Sequence, residues 1–264
     1  PLLSRDIIGI NKRESFMKAI YDKIGTSYSV TRRTDPIIAQ QLYAELEGAT
    51  RIVNIGAGTG SYEPDDIPLV AVEPSAQMIA QRPPGAHPVE LAFAEKLPFE
   101  DDSFSHAMTV LSMHHWTDRA QAFQEINRVA TNKFIAITWD PAAEPFWLTR
   151  DYFPAIYETD KRIFPSLAEL SDYFADIIVK PLLIPGNCED GLLAAFWKRP
   201  DAYLSDQVRQ STSAFAQLAN LDEGVRQLTE DLASGAWARK NEAILNLPAL
   251  DVGYRLITAT IRKA

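Results

Sequence analysis

Arg51-Ile52-Val53-Asn54-Ile55-Gly56-Ala57-Gly58-Thr59-Gly60 is the stretch on which the fold turns. Its first half is a short β-branched, apolar run, the pattern of a buried strand. Its second half alternates glycine with small residues, predicting a strand-to-helix turn. Glycines there remove Cβ atoms and let backbone N–H groups approach a ligand closely. Working outward, Leu69-Val70-Ala71-Val72-Glu73 reads as a second strand, followed by Pro74-Ser75 and a short helix through Ala80. Val89 to Phe93 is a weaker third strand and Phe104 to Leu111 a fourth. A helix from Asp118 to Val129 leads into a fifth strand, Lys133 to Trp139. Strands alternating with helices at this interval predict βαβ units and a parallel sheet.

Upstream, Phe16, Ile20 and Ile24 recur at helical spacing. Asp35-Pro36 opens a further helix to Leu46, with proline in the first turn, where its missing N–H costs nothing. Gly48 stops it. The regular alternation ends at Asp140-Pro141. Residues 142–175 then read as helical and aromatic, carrying Phe146, Trp147, Tyr152, Phe153, Tyr157, Phe164, Tyr173 and Phe174. Ile177 to Ile184 is a sixth strand, residues 189–246 read as three helices, and Val252 to Ile261 is the last strand. No crossover helix directly precedes that strand, so it is expected to run antiparallel at or near a sheet edge.

The chain has 264 residues, 46% hydrophobic and 23% charged, the balance of an ordinary globular protein. A net charge of −9 repels phosphate backbones and argues against a nucleic-acid partner. The lone Cys188 offers neither an internal disulfide nor a zinc cluster, so no metal is expected. Without a signal-peptide pattern, a long apolar run or a cationic amphipathic face, the expectation is a cytoplasmic protein that does not use membranes. Oligomeric state is not legible.

Glu73 ends the second strand, 17 residues after Gly56. A carboxylate there can accept hydrogen bonds from both hydroxyls of a ribose, with the ligand in the crevice outside the strand carboxyl ends. A dinucleotide fingerprint needs G-x-G-x-x-G, but here the spacing is G-x-G-x-G and Ser61 stands where the third glycine belongs. Tyr62, Glu63, Pro64, Asp65 and Asp66 follow, poor company for a pyrophosphate. S-adenosylmethionine (AdoMet) carries a sulfonium and an ammonium instead, and an electronegative mouth suits it.

As a set, these motifs resemble the class I AdoMet-dependent methyltransferases, in particular the small-molecule group of the ubiquinone/menaquinone-biosynthesis type. The resemblance covers roughly residues 14–140. It implies an α/β, Rossmann-like parallel sheet with an antiparallel last strand, helices on both faces and helical insertions forming a cap. It divides the chain into an N-terminal lid (1–35), an AdoMet-binding core (36–141), a helical cap insertion (142–175) and a last part (176–264) holding two strands and the insertion 189–246. By the first motif, Asn54, Gly56, Ala57, Gly58 and Gly60 would contact AdoMet. By the second, Glu73 would hold the ribose, with Pro74 and Met78 nearby. Ala94 and Glu95 would lie beside the adenine, and Leu111 with His114-His115-Trp116 near the transferred methyl. Tyr21, Tyr28 and Arg32 resemble the lid that closes over the cofactor. Two positions depart from the pattern: Asn54 stands where the family usually has an acid, and Phe93 where it often has Asp.

Methyl transfer needs nucleophile and methyl held in line, and a base only when the acceptor arrives protonated. His115, just past the fourth strand, is the candidate base; its plainer role is to orient the loop. Asp140 is a second candidate, with capping of a following helix as the favoured role. Arg32 could grip a carboxylate with both arms of its guanidinium. The aromatic set could line an acceptor pocket or simply pack. A carboxylate and imidazole around the methyl would point to hydroxyl acceptors, an apolar rim to an amine or carbanion. The function expected is methyl transfer from AdoMet to an O, N or C atom of a small molecule. The alternatives are an NAD(P)-dependent oxidoreductase and a non-catalytic AdoMet-binding subunit.

Overall fold

The computed structural model describes residues 32–210 and 212–263. Seven strands form one sheet in the order β3-β2-β1-β4-β5-β9-β6. Strands β1 (Ile52–Ile55), β2 (Leu69–Val72), β3 (Val89–Glu90), β4 (Phe104–Val110) and β5 (Ala130–Trp139) pair in parallel. Strand β9 (Tyr254–Ile261) runs antiparallel between β5 and β6 (Phe174–Pro181), one strand in from the edge. The chain reverses at β1, so the crevice between β1 and β4 is a topological switch point, where α/β sheets place their ligands.

Residues along each strand alternate between two cores. On β5, Ile135 and Ile137 face one side, with α1 (Pro36–Glu45) and Trp197. Phe134 and Ala136 face the other, with Phe123 and Ile126 of α3 (Arg119–Val129). Asp35 caps α1 by accepting from the N–H groups of Ile37 and Ile38, and Asp118 caps α3 through the N–H of Gln121.

Three expectations need correction. No helix follows the glycine turn: residues 56–68 cross from β1 to β2 as a chain of turns. Pro64 and Pro68 interrupt any helical ladder there, and Tyr62, at φ 66°, drops its ring into the core where helix side chains would otherwise pack. One helical turn, α2 (Ala76–Ile79), links β2 to β3. The sixth strand begins at Phe174 and ends at Pro181; β7 (Ile184–Pro185) leaves it to pair with β8 (Ala249–Leu250). Pro181 and Pro185 lack the N–H groups an unbroken ladder requires.

The stretch 189–246 holds more and shorter helices than three. After a 3₁₀ turn (Pro200–Leu204) come α6 (Asp206–Gln210), α7 (Ser213–Ala216), α8 (Asp222–Ala233), α9 (Ala236–Lys240) and α10 (Glu242–Leu245). The earlier insertion contributes a π-helical turn (Leu148–Tyr152), α4 (Pro154–Ile163) and α5 (Leu167–Leu170). The two insertions share one core. Trp147 meets Trp237 edge to face at 5.2 Å and Tyr203 at 5.6 Å. Tyr152 donates to Asp231 at 2.7 Å. Among the described residues no helix is long and apolar enough to cross a membrane.

Candidate active site

At the carboxyl ends of β1 and β2, the glycine turn and the acid meet. The Glu73 carboxylate accepts from Gly58 N–H at 2.8 Å and from Ser75 N–H at 2.9 Å. It is 7% exposed, and burial raises its pKa against the lowering pull of those two donors. The N–H groups of Gly56 and Ala57 both donate to the Val72 carbonyl, drawing the turn across β2. At Gly56, with φ 70°, a Cβ would come 1.8 Å from Ser112 Oγ, so only glycine fits. That contact joins the turn to the segment after β4, where Trp116 donates its indole N–H to the same Ser112 hydroxyl at 3.0 Å. At Gly58, φ 56°, a Cβ would meet nothing within 4 Å, which leaves an open cradle over the turn.

Asn54 is buried at the end of β1. Its amide donates to Glu63 at 3.0 Å, while its Oδ1 has no partner. Glu63 also accepts from Arg82 at 2.6 Å, an ion pair buried beneath Gly60. An orphaned carbonyl oxygen beside a buried carboxylate is a natural seat for a cationic ammonium. Glu63 thus brings a carboxylate against position 54, where the family pattern has an acid. The sequence places Glu63 in the acidic segment after the turn but does not mark it as the residue that reaches Asn54. The open cradle, the buried Glu73 carboxylate and the unpartnered Asn54 oxygen together fit an adenosyl amino acid.

The remaining predicted residues divide. Pro74 is exposed and Met78 buried. Ala94 lies in the core. Glu95 ties the chain internally, accepting from Thr117 N–H at 2.7 Å, the Thr117 hydroxyl at 2.9 Å and Asp118 N–H at 3.1 Å. Tyr21 and Tyr28 lie outside the described residues. Arg32 does grip a carboxylate, but it belongs to the chain itself: Asp190, at 2.7 and 3.3 Å. Asp190 also accepts from the Tyr62 hydroxyl at 2.7 Å and from Arg33 N–H at 3.3 Å. Asp140 braces a turn rather than a helix, accepting from Ala142 N–H at 2.9 Å with Arg255 beside it at 3.5 Å. Helical structure resumes only at Leu148, because Pro141 and Pro145 bracket the loop.

Beyond the β4 and β5 ends lies a cavity of about 870 Å³ counted out to its mouth, under the cap. Leu111, at φ 50°, and His115 line it, as do Phe146, Tyr157 and Phe164 of the first insertion. The other aromatics of that insertion pack: Trp147, Tyr152 and Phe153 in the cap, Tyr173 and Phe174 against Phe123. His114 stacks on Phe164 at 4.1 Å and against His115 at 3.7 Å. Burial, then the charges of His115, Arg32 and Arg119, hold His114 well below the usual histidine pKa, so it is neutral.

Sequence reasoning missed Asp160 and Tyr254, which share this cavity. Burial pushes the Asp160 carboxyl up to about 7 from its ordinary 3.8. The folded state therefore favours the neutral acid. That advantage is complete below pH 3.8 and is lost as pH rises through about 7. Asp160→Asn is expected to match the wild type near pH 4 and to exceed it in stability by about 2–4 kcal/mol at pH 8, read from urea melts at the two pH values.

A methyltransferase-domain family matches residues 53–135, the span from β1 through most of β5. A solved structure described as a methyltransferase from an antibiotic biosynthesis pathway of Anabaena variabilis is 33% identical. The match covers 87% of this chain and 98% of that one, with a TM-score of 0.78. A 2-methyl-6-phytyl-1,4-hydroquinone methyltransferase of Oryza sativa subsp. japonica is 25% identical over 171 residues, 60% of this chain and 47% of its own length. A tRNA (carboxymethyluridine(34)-5-O)-methyltransferase of Saccharomyces cerevisiae is 26% identical over 123 residues, 45% of this chain and 44% of its own. The chain thus spans less than half the length of these two curated relatives. With the sheet order, the glycine turn against its acid, and a similar chain covered almost end to end, this protein belongs to the class I AdoMet-dependent methyltransferases.

Proposed function

We propose that this enzyme transfers a methyl group from AdoMet to a small, partly apolar molecule held beneath the cap. The observation that carries the reading is the adjacency of two differently built spaces. Polar groups matched to an adenosyl amino acid ring the glycine turn, and a cavity walled by Phe146, Tyr157 and Phe164 lies beyond Leu111. Bound AdoMet supplies an electrophilic methyl on sulfur. Glu73 would hold the ribose, Asn54 Oδ1 and Glu63 the amino acid's ammonium, and the turn from Gly56 to Gly60 would lie along the adenosyl group. Leu111 and His115 line the second space, Ser112 between them in sequence faces the turn at Gly56, and His115 would orient the acceptor.

The chain's work in this reading is mainly positional: holding nucleophile and methyl carbon in line, worth an effective molarity of about 10⁵ M or more in favourable cases. Residues 36–141 would form the cofactor-binding core, with 142–175 and 189–246 as cap. The net charge of −9 favours a small acceptor over a polyanion. Isothermal titration with AdoMet and with S-adenosylhomocysteine should give saturable heat for both. Incubation with AdoMet and an acceptor panel should release S-adenosylhomocysteine. Absence of heat and of thermal shift with either ligand would refute the reading.

A further inference from the structure

We propose that Asp160 is the group that removes the acceptor's proton, and that the acceptor is a hydroxylated aromatic compound. The inference rests on the methyl-transfer reading above and deepens it.

The other acids around the site have partners. Asp190 holds Arg32 and Tyr62, Glu63 holds Arg82 and Asn54, Asp140 faces Arg255, and Glu169 pairs with Arg119 at 2.9 Å. Asp160 stands apart: among the described residues it accepts no side-chain or backbone hydrogen bond at its carboxyl and forms no ion pair, yet it lines the cavity. Half-buried in the cavity wall and without a partner among the described residues, this carboxyl is placed to meet a ligand there. The helix explains its aim. Tyr157 and Asp160 fall at i and i+3 of α4 and so share one face, Phe164 is its C-cap, and all three line the cavity.

The titratable and charged groups facing Asp160 from the surrounding elements are Tyr157 on its own helix, Tyr254 from β9, His114 and His115 from the turn after β4, and Arg32. Tyr254 feels the Asp160 charge, which, after burial, raises its phenol pKa, so it stays protonated and does not serve as the base. Neutral His114 is too weak a base. The Asp160 carboxyl titrates at about 7, where a base is half available and still strong enough to act. The flat walls, Trp139, Phe146, Tyr157 and Phe164, suit a planar ring.

The step balances. The acceptor's O–H bond breaks and its proton passes to an Asp160 carboxylate oxygen. The phenolate oxygen forms a bond to the methyl carbon as that carbon's bond to sulfur breaks, with sulfur keeping the electron pair. The products are the methyl ether, S-adenosylhomocysteine and neutral Asp160, which returns its proton to solvent.

The test uses 1-naphthol as acceptor, with tryptamine as a cationic-amine competitor. Infrared difference spectra of wild type against Asp160→Asn should reveal a protonated carboxyl that titrates near pH 7, with no acceptor present. Release of S-adenosylhomocysteine with 1-naphthol should rise with pH through the same point. Asp160→Asn should slow release by about 100-fold or more and erase that limb, while Asp160→Glu restores part of the rate. AdoMet affinity should stay within about twofold in both variants, since Asp160 sits on the acceptor side. The proposal is overturned if the protein binds AdoMet but neither binds nor methylates 1-naphthol, if tryptamine is the preferred acceptor, or if Asp160→Asn keeps both rate and limb. Failure of the wild type to bind AdoMet would remove the methyl-transfer reading and this one together.

Discussion

Glu73→Ala is expected to weaken S-adenosylhomocysteine binding by about 100-fold or more. Two hydrogen bonds to a charged acceptor contribute about 1.5–3 kcal/mol each, and every 1.4 kcal/mol is tenfold in affinity. Glu73→Gln keeps size and one acceptor oxygen but turns the other into a donor, so about a tenfold loss should result. Titration calorimetry well below the melting temperature separates this from the smaller stability loss caused by orphaning Gly58 and Ser75 N–H. Because desolvation raises the Glu73 pKa, affinity should also fall earlier on acidification than an exposed glutamate would predict. Unchanged affinity in Glu73→Ala would place the cofactor elsewhere.

Asp190→Ala should cost about 3–5 kcal/mol of stability, the range for removing one partner of a buried ion pair. It takes the carboxylate from Arg32 and strands the hydroxyl of Tyr62, a side chain only 1% exposed. Asp190→Asn can still accept from Tyr62, so it should lose much less. Chemical denaturation of the three proteins checks this; equal midpoints for the alanine variant and the wild type would contradict it.

The glycine turn and the strands announced themselves because both are local signals: β-branched runs ending where a backbone must come close to a ligand. The order of motifs along residues 51–139 then dictated a parallel sheet. What stayed hidden is non-local. Nothing near Ser61 states that Tyr62 replaces a crossover helix, since its partner is Asp190, 128 residues away. Trp147 and Trp237 read as two separate helical aromatics until the cap brings them together. Arg32 was expected to face a ligand's carboxylate, but it grips Asp190, a partner that only tertiary packing supplies. Asp160 was legible in principle. It sits among Thr159, Lys161 and Arg162, which look like a solvated face, yet its helical phase with Tyr157 points inward. Glu63 illustrates the reverse: its contact with Asn54 shows only in the folded chain.

Three backbone amides distant in the chain depend on one small knot of side chains. Arg33 N–H donates to Asp190, Tyr62 N–H to Thr34 Oγ1 at 3.0 Å, and Glu189 N–H to Asp35 at 2.9 Å. Tyr62 links them, its hydroxyl donating to Asp190 and accepting from Asp35 N–H at 3.4 Å. The rim of the glycine turn, the approach to α1 and the start of the second insertion are therefore expected to open as one cooperative unit, which matching hydrogen-exchange rates at the three amides would show.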